Sequence, residues 1–374
     1  MKPHSPALRI VHLNSLLTGG GTDDQCVKLA AELHRLGQRV VLAGPRGRAF
    51  QKTINELGAP FFDTGRSFVL NSARLLRREK AQIAHGHHGR DLWPTVLAAR
   101  LSGVRPKIIL SRHLAKSPGS WASRRFLLGQ CDAIIAVSEF VAKVLREGVY
   151  EPNSPEEERR ARGPMRGDFS KIRVIYGGID TARFHPQDAT EMRRKLGLKP
   201  GDFAFGVVGS FDFPRGKGQR EFLQAAAQVP RGRFLIIGRG GMEAVLQEDI
   251  KRLGLEGRAW LTGHVGEMPL VMNALDCLVH PQIGTEALGL VVCEAQACGT
   301  PVIASALDGI PEAFAAGRLG RLVEPENIAQ LAQAMREQTR VTPKEAEAAH
   351  TRVEQAFSLA VSAENTLRLY RELA

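Results

Sequence analysis

Two glutamates, Glu286 and Glu294, stand with seven residues between them in the stretch Pro281 to Glu312, PQIGTEALGLVVCEAQACGTPVIASALDGIPE. Gly289 lies between them, and Gly299 and Pro301 close the Ala-rich apolar run that follows. Gly289 to Cys298 reads as a helix stopped at Gly299, and Pro301 to Ala304 as a short buried strand. A helix N-terminus beside Gly284 and Gly289 leaves free backbone N–H groups and the positive end of a dipole, which suits a phosphate or diphosphate. Eight positions on a helix make a little over two turns, so the two carboxylates would flank one ligand roughly 12 Å long. Carboxylates beside a phosphate site suit a ligand rich in hydroxyls with a charged middle, such as a nucleotide sugar.

Three more loops carry compatible chemistry. Gly19-Gly20-Gly21 follows the first predicted strand and precedes a helix, where glycine lets the backbone approach a phosphate. Asp23-Asp24 follow, there is no G-x-G-x-x-G fingerprint, and a mere tight turn explains the glycines as well. Gly209 ends another strand, and Phe211 to Gly218 lead into a helix; Arg215 as a fork and Lys217 as a point charge are placed to neutralise a diphosphate at its start. A solvated basic loop is the plainer alternative. His85, His87 and His88 cluster at the end of a strand and His113 follows the next one. Three histidines in four positions could ligate a metal, but no carboxylate or cysteine is spaced to complete a set.

The positioning elements alternate along the whole chain. Strands are predicted at Leu8–Leu13, Arg39–Ala43, Ile83–His85, Lys107–Leu110 and Ala133–Val137. Between them lie helices near Asp23–Leu36, Arg48–Leu57, Ser72–Glu79, Leu92–Ser102, Ser120–Gly129 and Glu139–Glu147. The second half repeats the rhythm, with strands at Phe203–Val208, Arg233–Ile237, Ala259–Leu261, Cys277–His280, Val302–Ala304 and Gly320–Val323. Tyr150 to Ser170, with three prolines and mixed charge, interrupts it and reads as an exposed loop. Such alternation means α/β architecture with parallel sheets. At 374 residues the chain fits two domains, 1–180 and 181–356, and two doubly wound domains facing each other across a cleft are the simplest assembly, with ligands outside the carboxyl ends of the strands.

Apolar content of 43% and charge of 24% are those of a soluble globular chain. No apolar run is long enough to span a membrane, and the first residues read as a strand, not a signal peptide. Five scattered cysteines fit reduced, buried thiols in a cytoplasmic protein and no zinc site. The net charge of +12 is lopsided: residues 1–180 carry +13 and residues 181–374 carry −1. This excess suggests an anionic partner for the first half, whether an anionic membrane surface, a phosphorylated lipid acceptor or nucleic acid, with solubility charge alone the plainer alternative. Aromatics at 6% and dispersed basic residues argue against nucleic acid.

The glycines, the continuation EAQACGTPVIAS and the GIPE that follows resemble the donor-site signature of family 4 glycosyltransferases, retaining enzymes of GT-B fold. The resemblance covers nearly the whole chain and is strongest from Gly209 to Glu312. It implies two Rossmann-like domains, with a last helix at about 357–374 packing back on the first. The donor nucleotide would sit on the second domain and the acceptor on the basic first one. By this resemblance Glu294 holds the ribose hydroxyls and Glu286 the transferred sugar. Arg215, Lys217 and the N–H groups around Ala287, Leu288, Gly289 and Leu290 would stabilise the leaving diphosphate. Gly20 and Gly21 match a loop touching the donor phosphate or the acceptor, and Gly209 and Lys217-Gly218 match the diphosphate clamp. Many members carry arginine where Ser210 stands here. His264, in LTGHVGEMP, would help hold the nucleoside and His113 would lie beside the donor sugar, while His85, His87 and Asp23 would line the acceptor side. The implied reaction uses a nucleotide-sugar co-substrate, no cofactor and no metal. The acceptor would be a glycan or glycolipid of the cell envelope, such as lipopolysaccharide, reached from the cytoplasm at the inner membrane face. A sugar-nucleotide epimerase of the same fold and a basic nucleic-acid-binding protein are the alternatives.

Overall fold

The computed structural model describes residues 6–46, 54–55, 58, 60–148, 163–212 and 216–374. It divides into two compact units. The first takes the chain up to Gly178 and again from Leu359, and the second takes Ile179–Ser358.

The first unit is built on seven parallel strands: β1 Arg9–Leu13, β2 Arg39–Gly44, β3 Phe61–Asp63, β4 Ile83–Gly86, β5 Lys107–Arg112, β6 Ala133–Ala136 and β7 Ile172–Val174. Their order is β3-β2-β1-β4-β5-β6-β7, so the sheet reverses its direction of growth between β1 and β4. The helices are α1 Gly21–Arg35, α2 Phe68–Arg78, α3 Leu92–Ser102, α4 Trp121–Phe126 and α5 Glu139–Glu147, joined by the chain's last helix, Leu359–Leu373. Ser138 starts α5 by accepting the Val141 N–H at 3.0 Å, which satisfies one of the helix's orphan donors. The near-continuous apolar strands are those of a sheet covered on both faces. Their core joins Ile10, Leu42, Ile83, Ile109 and Ile135 to Leu367 and Tyr370 of the last helix. β3 has no counterpart in the expected elements. Three residues show no alternation, and the strand exists because Phe61 to Asp63 pair with Leu42 to Gly44. The helix expected at Arg48–Leu57 lies almost wholly outside the described residues, and so does the loop from Tyr150 as far as residue 162.

The second unit has six parallel strands: β8 Ala204–Val208, β9 Arg233–Ile237, β10 Ala259–Gly263, β11 Cys277–His280, β12 Val302–Ser305 and β13 Gly320–Val323. Their order is β10-β9-β8-β11-β12-β13, with the reversal between β8 and β11. α6 Thr190–Lys195 precedes them, α7 Gln219–Ala226, α8 Glu243–Arg252, α9 Met268–Ala274, α10 Leu290–Ala297 and α11 Ile310–Gly317 lie between them, and α12 Ile328–Glu337 and α13 Pro343–Phe357 close the unit. A reciprocal Thr342–Glu345 capping box with Pro343 in the first turn opens α13. Phe205, Phe222 and Phe234 pack the centre of this second core.

Candidate functional site

In a doubly wound parallel sheet the loops at the carboxyl ends part on either side of the reversal, and the opening between them is where ligands bind. In the second unit that reversal lies between β8 and β11, and the loops after these two strands carry Lys217 and Glu286. Lys217 Nζ donates to Glu286 Oε2 at 2.7 Å, with the two side chains 33% and 20% exposed. Glycine makes this approach feasible. A methyl on Gly209 would meet Lys217 Cγ at 3.0 Å, so the lysine stem lies over a residue with no side chain. Gly218 caps α7 at φ 84, and a Cβ there would run into the Pro281 carbonyl. The Lys217 N–H donates to Gln219 Oε1 at 2.7 Å.

Glu286 sits in the loop, not on the helix, because α10 starts only at Leu290, after Gly289 in the left-handed region at φ 85. The spacing of roughly 12 Å expected for two carboxylates on one helix therefore does not describe this pair. The loop is held instead by Asp308, itself at φ 51. Its carboxylate accepts the Glu286 N–H at 3.1 Å, and the Gly309 N–H donates to the Glu286 carbonyl at 3.2 Å. Burial alone would push the Glu286 carboxyl up, but the Lys217 ammonium and His280 beside it hold it below the usual carboxylate range. Ala287, Leu288 and Gly289 are buried, while Leu290 and Glu294 are half-buried on the first turns of α10. His264 is exposed just beyond β10. Arg215 lies outside the described residues.

His280 was not among the expected site residues. It ends β11, is 1% exposed, and neither ring nitrogen has a hydrogen-bond partner among the described residues. Burial lowers it to about 4, so the ring is neutral next to the Lys217–Glu286 pair. A histidine closing the apolar run Cys277–His280 just before Pro281 was the available signal.

The first unit gathers a second cluster at its own reversal. His12 of β1 faces His85 of β4 in the sheet register. His85 Nδ1 lies 2.5 Å from the Tyr370 hydroxyl and its Nε2 2.8 Å from Ser111 Oγ. The Tyr370 hydroxyl lies 3.2 Å from His12 Nε2, and His12 Nδ1 2.9 Å from His87 Nε2. Ser111, His85, Tyr370, His12 and His87 thus form one chain of hydrogen bonds. Its protons can run in either direction, and both leave His87 Nδ1 buried without a partner among the described residues. His85, expected on the acceptor side, is fully buried with both ring nitrogens engaged. The third imidazole of the cluster is His12, not His88. The ligand atoms of His12, His85 and His87 all lie within 4.8 Å of one another. His113 follows β5, with its ring centroid 6.0 Å from that of His87 and its Nε2 buried without a partner among the described residues. Burial lowers it to about 4.

Asp23, also expected on the acceptor side, supports the first loop. It is 2% exposed, and its carboxylate accepts Asn14 Nδ2–H at 2.8 Å, the Thr18 N–H at 3.0 Å and the Gly19 N–H at 3.1 Å. Oδ2 thereby holds the loop that leads into the glycines, and Oδ1 ties it to Asn14. Gly20 caps α1 at φ 108, a conformation that glycine adopts at least cost. Open space lies where a side chain on Gly20 or Gly21 would be.

Two doubly wound parallel domains of this order define a GT-B fold, and solved structures agree. Over 98% of this chain and 100% of theirs, Anabaena HepE in complex with UDP and glucose superposes with a TM-score of 0.79 at 21% identity. A glycosyltransferase from Rickettsia africae ESF-5 gives a TM-score of 0.81 at 20% identity, over 99% of both chains. Residues 19–183 match the family model "Glycosyltransferase Family 4" and residues 202–339 match "Glycosyl transferases group 1". It is 26% identical over 311 residues to the D-inositol 3-phosphate glycosyltransferase of Mycobacterium marinum. That match covers 75% of this chain but 63% of the relative, so it spans less than two thirds of the relative's length.

Proposed function

We propose that this protein is a retaining glycosyltransferase that moves a sugar from a nucleotide-sugar donor to a glycan or glycolipid acceptor in cell-envelope synthesis. The observation that carries the reading is the Lys217–Glu286 pair at the carboxyl-end reversal of the second sheet. A diphosphate arriving there offers the ammonium a stronger partner and releases Glu286 to accept hydrogen bonds from sugar hydroxyls. Lys217, the neighbouring N-terminus of α7 and Arg215 would offset the charge that builds on the leaving diphosphate, the main catalytic lever of such a site. Retention follows from front-face attack, with the leaving phosphate oxygen taking the acceptor's proton. Glu294 holds the ribose, His113 lies beside the transferred sugar, and the partnerless Nδ1 of His87 belongs to the acceptor side. HepE's complex with UDP and glucose makes UDP-glucose the first donor to test. The +13 of the first 180 residues supports an acceptor that is itself anionic or is met at an anionic membrane surface. No helix among the described residues is long and apolar enough to cross a membrane.

The experiment is calorimetry with UDP beside a turnover assay. Glu294→Ala is expected to weaken UDP by about 1.5–3 kcal/mol, the range for a hydrogen bond to a charged group. Glu286→Ala should spare UDP and lower turnover, because its partner is the sugar. Unchanged UDP affinity in the first variant sinks the ribose assignment, and lost UDP affinity in the second sinks the sugar assignment. The reaction needs no metal, so full activity after EDTA is expected. Loss that Mg²⁺ or Mn²⁺ restores would overturn this.

A further inference from the structure

Every large apolar side chain that stands exposed among the described residues belongs to the first unit, and five of the seven lie on α2, α3 and α4. Right-handed crossovers place these three helices on one face of the sheet, because β3 to β4, β4 to β5 and β5 to β6 all step in the same direction. Side chains tie them together. Arg77 of α2 donates through Nε to the Ser102 carbonyl at 2.8 Å and through Nη2 to the Leu101 carbonyl at 3.2 Å. Trp93 Nε1 of α3 donates to Ser123 Oγ of α4 at 2.9 Å.

On this layer Trp121 is 66% exposed, Leu101 53%, Leu97 48% and Phe126 43%. The Trp121 and Phe126 rings meet edge to face at 5.5 Å, and the Arg125 guanidinium stands 5.2 Å from the Phe126 ring centroid. Arg74, Arg78 and Arg100 are exposed on the same helices. From Thr64 to Ser138 the chain has thirteen Lys and Arg against three Asp and Glu, and Asp91 of those three is buried. Scattered single apolar residues mean little, but a tryptophan, a phenylalanine and two leucines set among arginines form a defined surface. Water solvates such a surface poorly. The interfacial zone of an anionic bilayer suits both components, since rings and leucines enter the acyl boundary while guanidinium groups stay among the phosphates.

We propose that the α2–α4 face is a membrane-docking surface that seats Trp121 and Phe126 in the interface of an anionic bilayer, with Arg74, Arg100 and Arg125 on the lipid headgroups. The proposal deepens the membrane-acceptor reading, on which it rests for its purpose. It differs from attraction by net charge alone in requiring apolar insertion. Binding should therefore fall with salt, as screening shortens the reach of the arginines, yet persist in part where a purely electrostatic contact would vanish.

The test is co-sedimentation of the full chain with phosphatidylcholine vesicles and with vesicles containing phosphatidylglycerol, at low and at high NaCl. The intact protein should pellet with the anionic vesicles, and a measurable fraction should remain bound at high salt. Trp121→Ala with Phe126→Ala should lower the partition coefficient about tenfold or more, and Arg74→Glu with Arg125→Glu should abolish the preference for anionic lipid. Brominated acyl chains should quench the intact protein and not Trp121→Phe. All substitutions are at exposed positions, and an unchanged melting temperature and UDP affinity confirm that each variant is folded. Binding that ignores the aromatic pair, binding equal on neutral and anionic vesicles, or no binding at low salt overturns the proposal. So does self-association or capture of an acidic protein through this face with no vesicle binding. UDP affinity reads the second unit separately, so a failed docking surface leaves the donor reading standing.

Discussion

Lys217→Ala is expected to lower turnover by about 100-fold or more, by comparison with lost oxyanion donors, while the Michaelis constant for the donor changes far less. The charge on a departing diphosphate is greatest in the transition state, so an ammonium aimed at it acts mainly on turnover. The structure adds a second consequence. In the free protein Lys217 is the partner of Glu286 at 2.7 Å, and removing it leaves a largely buried carboxylate with its cation gone. Glu286 should then hold a sugar less well, so the loss should exceed that of Glu286→Ala alone and the double variant should be less than additive. Melting temperature separates this from loss of fold. A folded Lys217→Ala variant with turnover within about fivefold of the parent would place Lys217 outside the reaction and remove the main support for the proposed activity.

The second large effect is acid lability of the first unit, ahead of the second. Burial lowers His12 to about 3 and holds His85 and His87 well below the usual histidine range, with neighbouring imidazoles adding to the shift in the latter two. These groups are neutral when folded. Below about pH 6.5 the unfolded chain takes up protons that the folded chain refuses, so stability falls as pH falls towards the folded values. The three rings lie in one hydrogen-bonded chain, so they resist protonation together and the first unit loses stability as pH falls below about 6.5. The second unit has one comparable ring, His280. Its lowered carboxylates, such as Asp202 and Asp249, contribute stability that is present above their unfolded values and lost only as pH falls through the lower folded ones. Trp93 and Trp121 lie in the first unit and Trp260 in the second, so fluorescence of tryptophan-to-phenylalanine variants reads each unit. The first-unit transition should move down in temperature between pH 7 and pH 5 while that of Trp260 moves less. A flat melting temperature over that interval, or the second unit yielding first, would refute the assignment.

Local signals were enough for the elements themselves. Leu92–Ser102, Glu139–Glu147, Arg233–Ile237 and Cys277–His280 have the bounds expected from periodicity and stop signals, because apolar period, a capping residue and a following glycine all act within a few positions. The GT-B architecture was legible for a related reason. Alternating strands and helices admit few packings, and the glycine loops with Glu286 and Glu294 resemble a family pattern. Other features depended on residues distant in sequence. Tyr370 reaches His85 across 285 positions, and only the sheet register sets His12 opposite His85. Asp23 is acidic in either reading, and only the closure of the Thr18–Gly19 backbone onto it shows where its charge is spent. The chain sequence determined which chemistry was available: a lysine after one strand, a glutamate after another and glycines at the turns. The tertiary structure decided which groups meet. Strand order is a property of the whole sheet, and it makes β8 and β11 neighbours, which brings Lys217 within hydrogen-bond reach of Glu286 across 69 positions.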